Sequence, residues 1–102
     1  MFSYTVRCKF SDPDVADGWL DWLRNEHIQK VIDSGAIAGE IFRMDDGATF
    51  EIRYQFESQS AFNKYELEYA PALREDGLKR FPLELGLEYS RTTGQSEFRL
   101  EK

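Results

Sequence analysis

Two stretches of this chain alternate apolar and polar residues without a break, and that pattern constrains the fold more than anything else in it. From Phe2 to Phe10, the residues Phe2, Tyr4, Val6, Cys8 and Phe10 fall on one side, and Ser3, Thr5, Arg7 and Lys9 on the other. Phe50, Ile52, Tyr54 and Phe56 alternate in the same way with Thr49, Glu51, Arg53 and Gln55. A period of two belongs to a strand, and one apolar face per strand means a sheet covered on one side only. The opposite face carries Thr5, Arg7, Lys9, Glu51, Arg53 and Gln55, of mixed sign. It can remain wet in a monomer or pair with a copy of itself across a two-fold axis.

The intervening segments read as helices. Ser11-Asp12-Pro13-Asp14 is a start signal, with Ser or Asp as cap, Pro in the first turn and acidic residues at the positive dipole end. The helix is expected to run to about Ser34 and stop at Gly35. Val15, Trp19, Leu20, Trp22, Leu23, His27 and Val31 form its apolar stripe. Ala36 to Met44 reads as a second strand, followed by the turn residues Asp45-Asp46-Gly47.

A second helix is expected from Ser58 or Ser60 with Phe62, Tyr65, Tyr69 and Leu73 on one face, interrupted at Pro71. A last strand is expected to begin at Leu85 to Leu87 and include Tyr89, and the weakly alternating tail Gln95 to Lys102 suggests a short extra strand. The order β-α-β-β-α-β predicts an α+β, ferredoxin-like domain over residues 1–102. Its four-stranded antiparallel sheet carries both helices on one face. A homodimer through the polar sheet face or the edge strands is expected, with the solvated monomer as the alternative.

Several function classes are disfavoured. The formal charge is −6, with no run of Lys or Arg, which argues against nucleic acid and against anionic membrane surfaces. No stretch approaches about 18 apolar residues, and the amino terminus has no basic start followed by an apolar run, so a cytoplasmic location is expected. Cys8 is the single cysteine and has no bridge partner. No metal-ligand spacing and no glycine-rich phosphate loop appears, so neither a metal nor a cofactor is expected. Turn chemistry accounts for Asp45-Asp46 without calcium.

His27 is the only histidine, and any chemistry that needs an imidazole rests on it. Counting about 14 residues from Pro13 at 1.5 Å per residue puts it roughly 21 Å down the helix, level with Tyr4. Cys8 then lies about 13 Å further along, which makes a Cys8–His27 nucleophilic pair a poor reading and Cys8 a small buried hydrophobe. Tyr69, about 13 Å along the second helix, approaches the same end. Tyr4, His27, Tyr65 and Tyr69 are therefore candidates to line one cleft, able to hold a small planar or acidic ligand and move a proton. The competing reading makes the rings core and His27 a hydrogen-bonded core histidine.

Trp22, Glu26 and Arg74 join the candidate ligand-binding set. Trp22 reads equally as core or dimer contact, and Glu26 as the partner of Lys30 at i,i+4. Arg74 is able to grip a carboxylate bidentately, though a solvated helix arginine is the commoner fate.

The segments Trp19-x-x-Trp22-x-x-x-Glu26-His27-Ile28, followed by Gly35, and Tyr69-Ala70-Pro71-Ala72-Leu73-Arg74-x-x-Gly77-x-x-x-Phe81 resemble an uncharacterised bacterial family, domain of unknown function 4286. The resemblance covers most of the chain, better at the helices than at the strands. That family is similar in layout to the dimeric α/β-barrel group, which holds cofactor-free monooxygenases, small isomerases and proteins without known activity. The likeness implies a fold and a homodimer, not a reaction. Gln29 departs from the family pattern, where a proline commonly follows His-Ile, and the tail beyond Thr93 is longer.

Three functional readings follow. The first is a small homodimeric protein binding a metabolite between helices and sheet. The second is a cofactor-free enzyme, monooxygenase- or isomerase-like, using His27. The third is a structural or interaction module with a filled core and no ligand.

Overall fold

The computed structural model describes residues 1–102. Strand β1 (Phe2–Phe10) leads into α1 (Pro13–Trp22), a single π-helical turn (Leu23–His27) and α2 (Ile28–Asp33). Strands β2 (Ala38–Arg43) and β3 (Thr49–Phe56) follow, then α3 (Gln59–Glu68), α4 (Ala70–Arg80), a short 3₁₀ turn (Leu83–Leu85) and β4 (Leu87–Gln95). The sheet order is β2-β3-β1-β4, and every neighbouring pair is antiparallel.

The alternation places the core. In the central pair, Phe2 faces Phe56, Tyr4 faces Tyr54, Val6 faces Ile52 and Cys8 faces Phe50, and all eight are buried. Both helical segments cover this face and extend one core cluster with Trp19, Leu20, Trp22, Leu23, Val31, Phe62 and Tyr65. At about 1.5–3 kcal/mol for each large apolar side chain withdrawn from water, this cluster is the main source of stability.

Capping follows local chemistry. The Asp12 carboxylate accepts from the Asp14 N–H at 2.9 Å, and the Ser58 hydroxyl accepts from the Ala61 N–H at 3.1 Å. In the β2–β3 hairpin, Asp46 accepts from both the backbone N–H (2.8 Å) and the hydroxyl (2.7 Å) of Thr49, while Gly47 takes the left-handed conformation at φ +72°. The Thr49 hydroxyl bond, chiefly, holds the Asp46 carboxyl below its ordinary range.

The structure corrects two expectations. The first helix is not continuous: at the π turn the Ile28 N–H bonds to the Leu23 carbonyl, an i→i+5 bond that inserts one extra residue into the turn. The tail forms no extra strand. β4 already runs to Gln95, paired with Phe2 at the start of β1, and after the Ser96 N–H bonds to the Met1 carbonyl no strand remains beside it. Phe98 and Leu100 are accordingly more than four-fifths exposed.

No helix of the chain is long and apolar enough to cross a membrane. The outer sheet face carries a small ion network in which Arg7 and Arg53 both reach Glu51, at 3.0 and 2.9 Å. The Arg53 hydrogen bond, with Arg7 adding to it, keeps the Glu51 carboxyl below its ordinary range.

Candidate functional site

A cavity of about 490 Å³ lies between the helices and strands β3, β1 and β4 of the sheet. Its sheet side is built from Tyr4, Val6, Ile52, Tyr54, Tyr89 and Arg91. Trp19, Trp22, Leu23 and His27 close it from the first helical segment, and Leu73, Arg74, Gly77 and Leu78 from α4. This volume lies within the range of small-molecule pockets.

Two local devices shape the walls. Pro71 has no N–H to continue the α3 ladder, so the chain breaks at Tyr69 (φ −120°, ψ −39°) and α4 restarts, turning Arg74 and Gly77 to the cavity. The π turn swings His27 back onto Trp22, five residues earlier, so that the rings stack with centroids 4.4 Å apart and planes at 26°. Gly77 lets the indole approach, since a β-carbon there would lie 3.1 Å from the Trp22 ring.

The polar atoms of this cavity are unevenly satisfied. The Tyr4 hydroxyl accepts from Arg74 Nη2 and from Arg91 Nε, each at 3.1 Å. Arg74 Nη2 also reaches both carboxylate oxygens of Glu66, at 2.7 and 2.8 Å. Burial works against the Arg74 charge, but the bonds to Tyr4 and Glu66 outweigh it and hold the guanidinium pKa above its ordinary value. Trp19 Nε1 donates to the Tyr89 hydroxyl at 3.0 Å. Four buried polar atoms have no protein partner: Trp22 Nε1, His27 Nδ1, Tyr54 Oη and Arg74 Nε. All four belong to residues that line the cavity.

Burial lowers the His27 pKa to about 4; the nearby Asp76 charge opposes that shift and Lys30 adds to it. The imidazole is therefore neutral at pH 7, able to accept a proton at one nitrogen and donate from the other. Burial likewise raises the phenol pKa of Tyr54 and Tyr65 above the ordinary value and pushes Tyr89 up to about 12. Cys8 is fully buried with its thiol pushed up to about 12 by burial, and it does not line the cavity.

Of the residues singled out from the sequence, Tyr4, Trp22, His27, Tyr65 and Arg74 surround this one cavity, whereas Glu26 and Tyr69 do not. Glu26 points away and pairs across helices with Arg80 at 3.0 Å, in place of the expected partner Lys30. Tyr69 sits at the helix break and is 41% exposed. Sequence reasoning missed Tyr54, Tyr89 and Arg91 as wall residues. Carrying the alternation of Leu87 and Tyr89 two residues further would have put Arg91 on the inner face.

Sheet order, helix placement and the cavity between the layers together define an α+β protein of the ferredoxin-like class. Residues 1–87 match the Domain of unknown function (DUF4286) family, and the chain belongs to that family. No curated protein sequence matches it.

Among solved structures, the fold is similar to that of a candidate antibiotic biosynthesis monooxygenase from Deinococcus radiodurans (TM-score 0.74, 12% identity, 100% of this chain and 98% of that one covered). It is also similar to a dimeric ferredoxin-like protein from an uncultured marine organism (TM-score 0.72, 14% identity, 100% of both chains). A third likeness is to the ActVA-Orf6 monooxygenase of Streptomyces coelicolor, solved with the ligand Nanaomycin D (TM-score 0.67, 14% identity, 98% and 92% covered).

Proposed function

We propose that this protein is a homodimer that binds a small, flat, largely apolar metabolite in the cavity between its helices and sheet. One observation carries the reading: all four orphaned buried polar atoms of the chain belong to residues lining a single aromatic-walled cavity of about 490 Å³. Each such atom costs about 1–3 kcal/mol if left unpaired, so a set of them around one space favours a bound partner over a dry core. A ligand-free interaction module would need a filled core instead.

A thermal-shift screen with planar metabolites tests the reading, run on the wild type, on His27→Gln and on Leu73→Trp, which fills the cavity from α4. Ligands are expected to raise the wild-type Tm and to lose that effect in both variants. Shifts of equal size in Leu73→Trp would overturn it.

The second reading, a cofactor-free enzyme of monooxygenase or isomerase type, is favoured by His27 itself: a neutral imidazole on the cavity wall with Nδ1 unpartnered. The likeness to the Streptomyces monooxygenase supports this reading through the fold. In this role His27 is a general base, and turnover falls as pH drops through about 4 and disappears in His27→Gln.

The dimer is supported by the mixed-sign outer sheet face and by the dimeric ferredoxin-like neighbour. Light scattering is expected to report twice the chain mass of 11.9 kDa, and the single-chain mass at micromolar concentration would refute it. A cytoplasmic location suits the unpaired Cys8 thiol.

A further inference from the structure

The polar complement of the cavity also speaks to the charge of its occupant. Three of the four orphaned atoms are donors whatever their surroundings or naturally act so: Trp22 Nε1, Arg74 Nε and the Tyr54 hydroxyl. The Tyr4 hydroxyl adds a fourth. Its oxygen has two lone pairs, and Arg74 and Arg91 use both; its hydrogen has no acceptor in the protein. Such a set calls for acceptor oxygens on an otherwise apolar occupant.

The charge balance points the same way. Six of the eight arginines have a carboxylate within ion-pair distance; Arg43 and Arg91 have none. Arg91 lines the cavity and is exposed where the cavity meets solvent, with its guanidinium 5.2 Å from the Tyr89 ring. Arg74, Arg91 and Glu66 around the Tyr4 hydroxyl leave one positive charge uncompensated there, since Glu88, the other acidic residue of the cavity wall, makes no ion pair, in a chain whose net charge is −6. With so many acids available, an unpaired guanidinium beside a donor-rich pocket is the mark of a site whose counter-charge arrives with the ligand.

We propose that the ligand is a flat aromatic monoanion whose carboxylate is gripped by Arg91, Arg74 and the Tyr4 hydroxyl at the cavity mouth, with its ring between the aromatic walls. This rests on the small-molecule reading above and names the class of ligand. Each guanidinium keeps N–H groups beyond those given to Tyr4 and Glu66, and two planar forks suit a carboxylate better than a neutral carbonyl.

Calorimetric titration with 2-naphthoate and with its neutral methyl ester, on the wild type, Arg91→Gln and Arg91→Lys, tests the proposal. Arg91 lies on an exposed edge strand, so both variants are expected to fold, which circular dichroism verifies. The acid is expected to bind the wild type at least about tenfold tighter than the ester. Arg91→Gln is expected to lose about tenfold to hundredfold on the acid and nothing on the ester, with Arg91→Lys in between. Equal affinity for acid and ester, or an acid affinity untouched in Arg91→Gln, would overturn the carboxylate assignment and leave the pocket reading standing. Binding of neither compound would overturn both.

Discussion

Lowering the pH from 7 to 4 is expected to cost this protein stability through His27. The folded chain holds that imidazole at about 4 against an ordinary value of 6.5, with burial as the main cause, Asp76 opposing it and Lys30 assisting it. Between those two values the unfolded chain takes up a proton that the folded chain refuses, so acid favours unfolding. The contribution is whole above pH 6.5 and is lost progressively as pH falls toward 4. A depression of that size corresponds to about 3 kcal/mol at about 1.4 kcal/mol per pH unit, and partial exposure of the ring reduces it to about 2 kcal/mol.

Urea unfolding of the wild type and His27→Gln at pH 7, 6, 5 and 4 isolates this contribution, because titrating carboxylates common to both chains cancel in the difference. The wild-type advantage should shrink by about 2 kcal/mol from pH 7 to pH 4. A difference that stays flat, or one that grows in acid because Asp76 has captured the imidazolium, would refute the buried environment assigned to His27. NMR titration of the ring gives a second check, with a midpoint near 4 expected and one near 6.5 contradicting it.

Trp19→Ala is expected to cost about 3–5 kcal/mol in the same assay, because Trp19 is 1% exposed, packs edge-on against Phe10 at 5.0 Å and donates to the Tyr89 hydroxyl; a loss below about 1 kcal/mol would show the inward face to be misassigned. Cys8, fully buried with its thiol pushed up to about 12, is expected to resist a thiol reagent at pH 8 in the native protein and to react at once in urea. Equal rates in the two states would contradict its burial.

Elements that depend on contiguous residues were legible in the chain. Strict alternation placed β1 and β3 and their inward residues, because the pleat forces every second side chain to the same face whatever lies around it. Pro71 announced the break between α3 and α4, because a residue without an N–H cannot continue the ladder anywhere. Counting rise along helix and strand put His27 level with Tyr4, and both line the cavity. The same counting misplaced Tyr69, because rise gives a residue's level along the helix and not the direction of its side chain, and at the break itself (φ −120°, ψ −39°) the Tyr69 ring is left outside.

What tertiary structure alone decided concerns partners distant in sequence. Arg91 meets Tyr4 across 87 positions and Arg74 meets it across 70, and no local pattern encodes either contact. The first depends on the β1–β4 register and the second on the angle at which α4 restarts. The π turn is of the same kind: the stripe from Trp19 to Val31 reads as a regular helix, and the i→i+5 bond that brings His27 onto Trp22 is selected where the indole packs against Gly77 of another helix. Periodicity and capping are energies of neighbouring residues and so appear in the sequence. The charge and shape of the cavity come from register, kink and packing, which exist only once the layers have closed on each other.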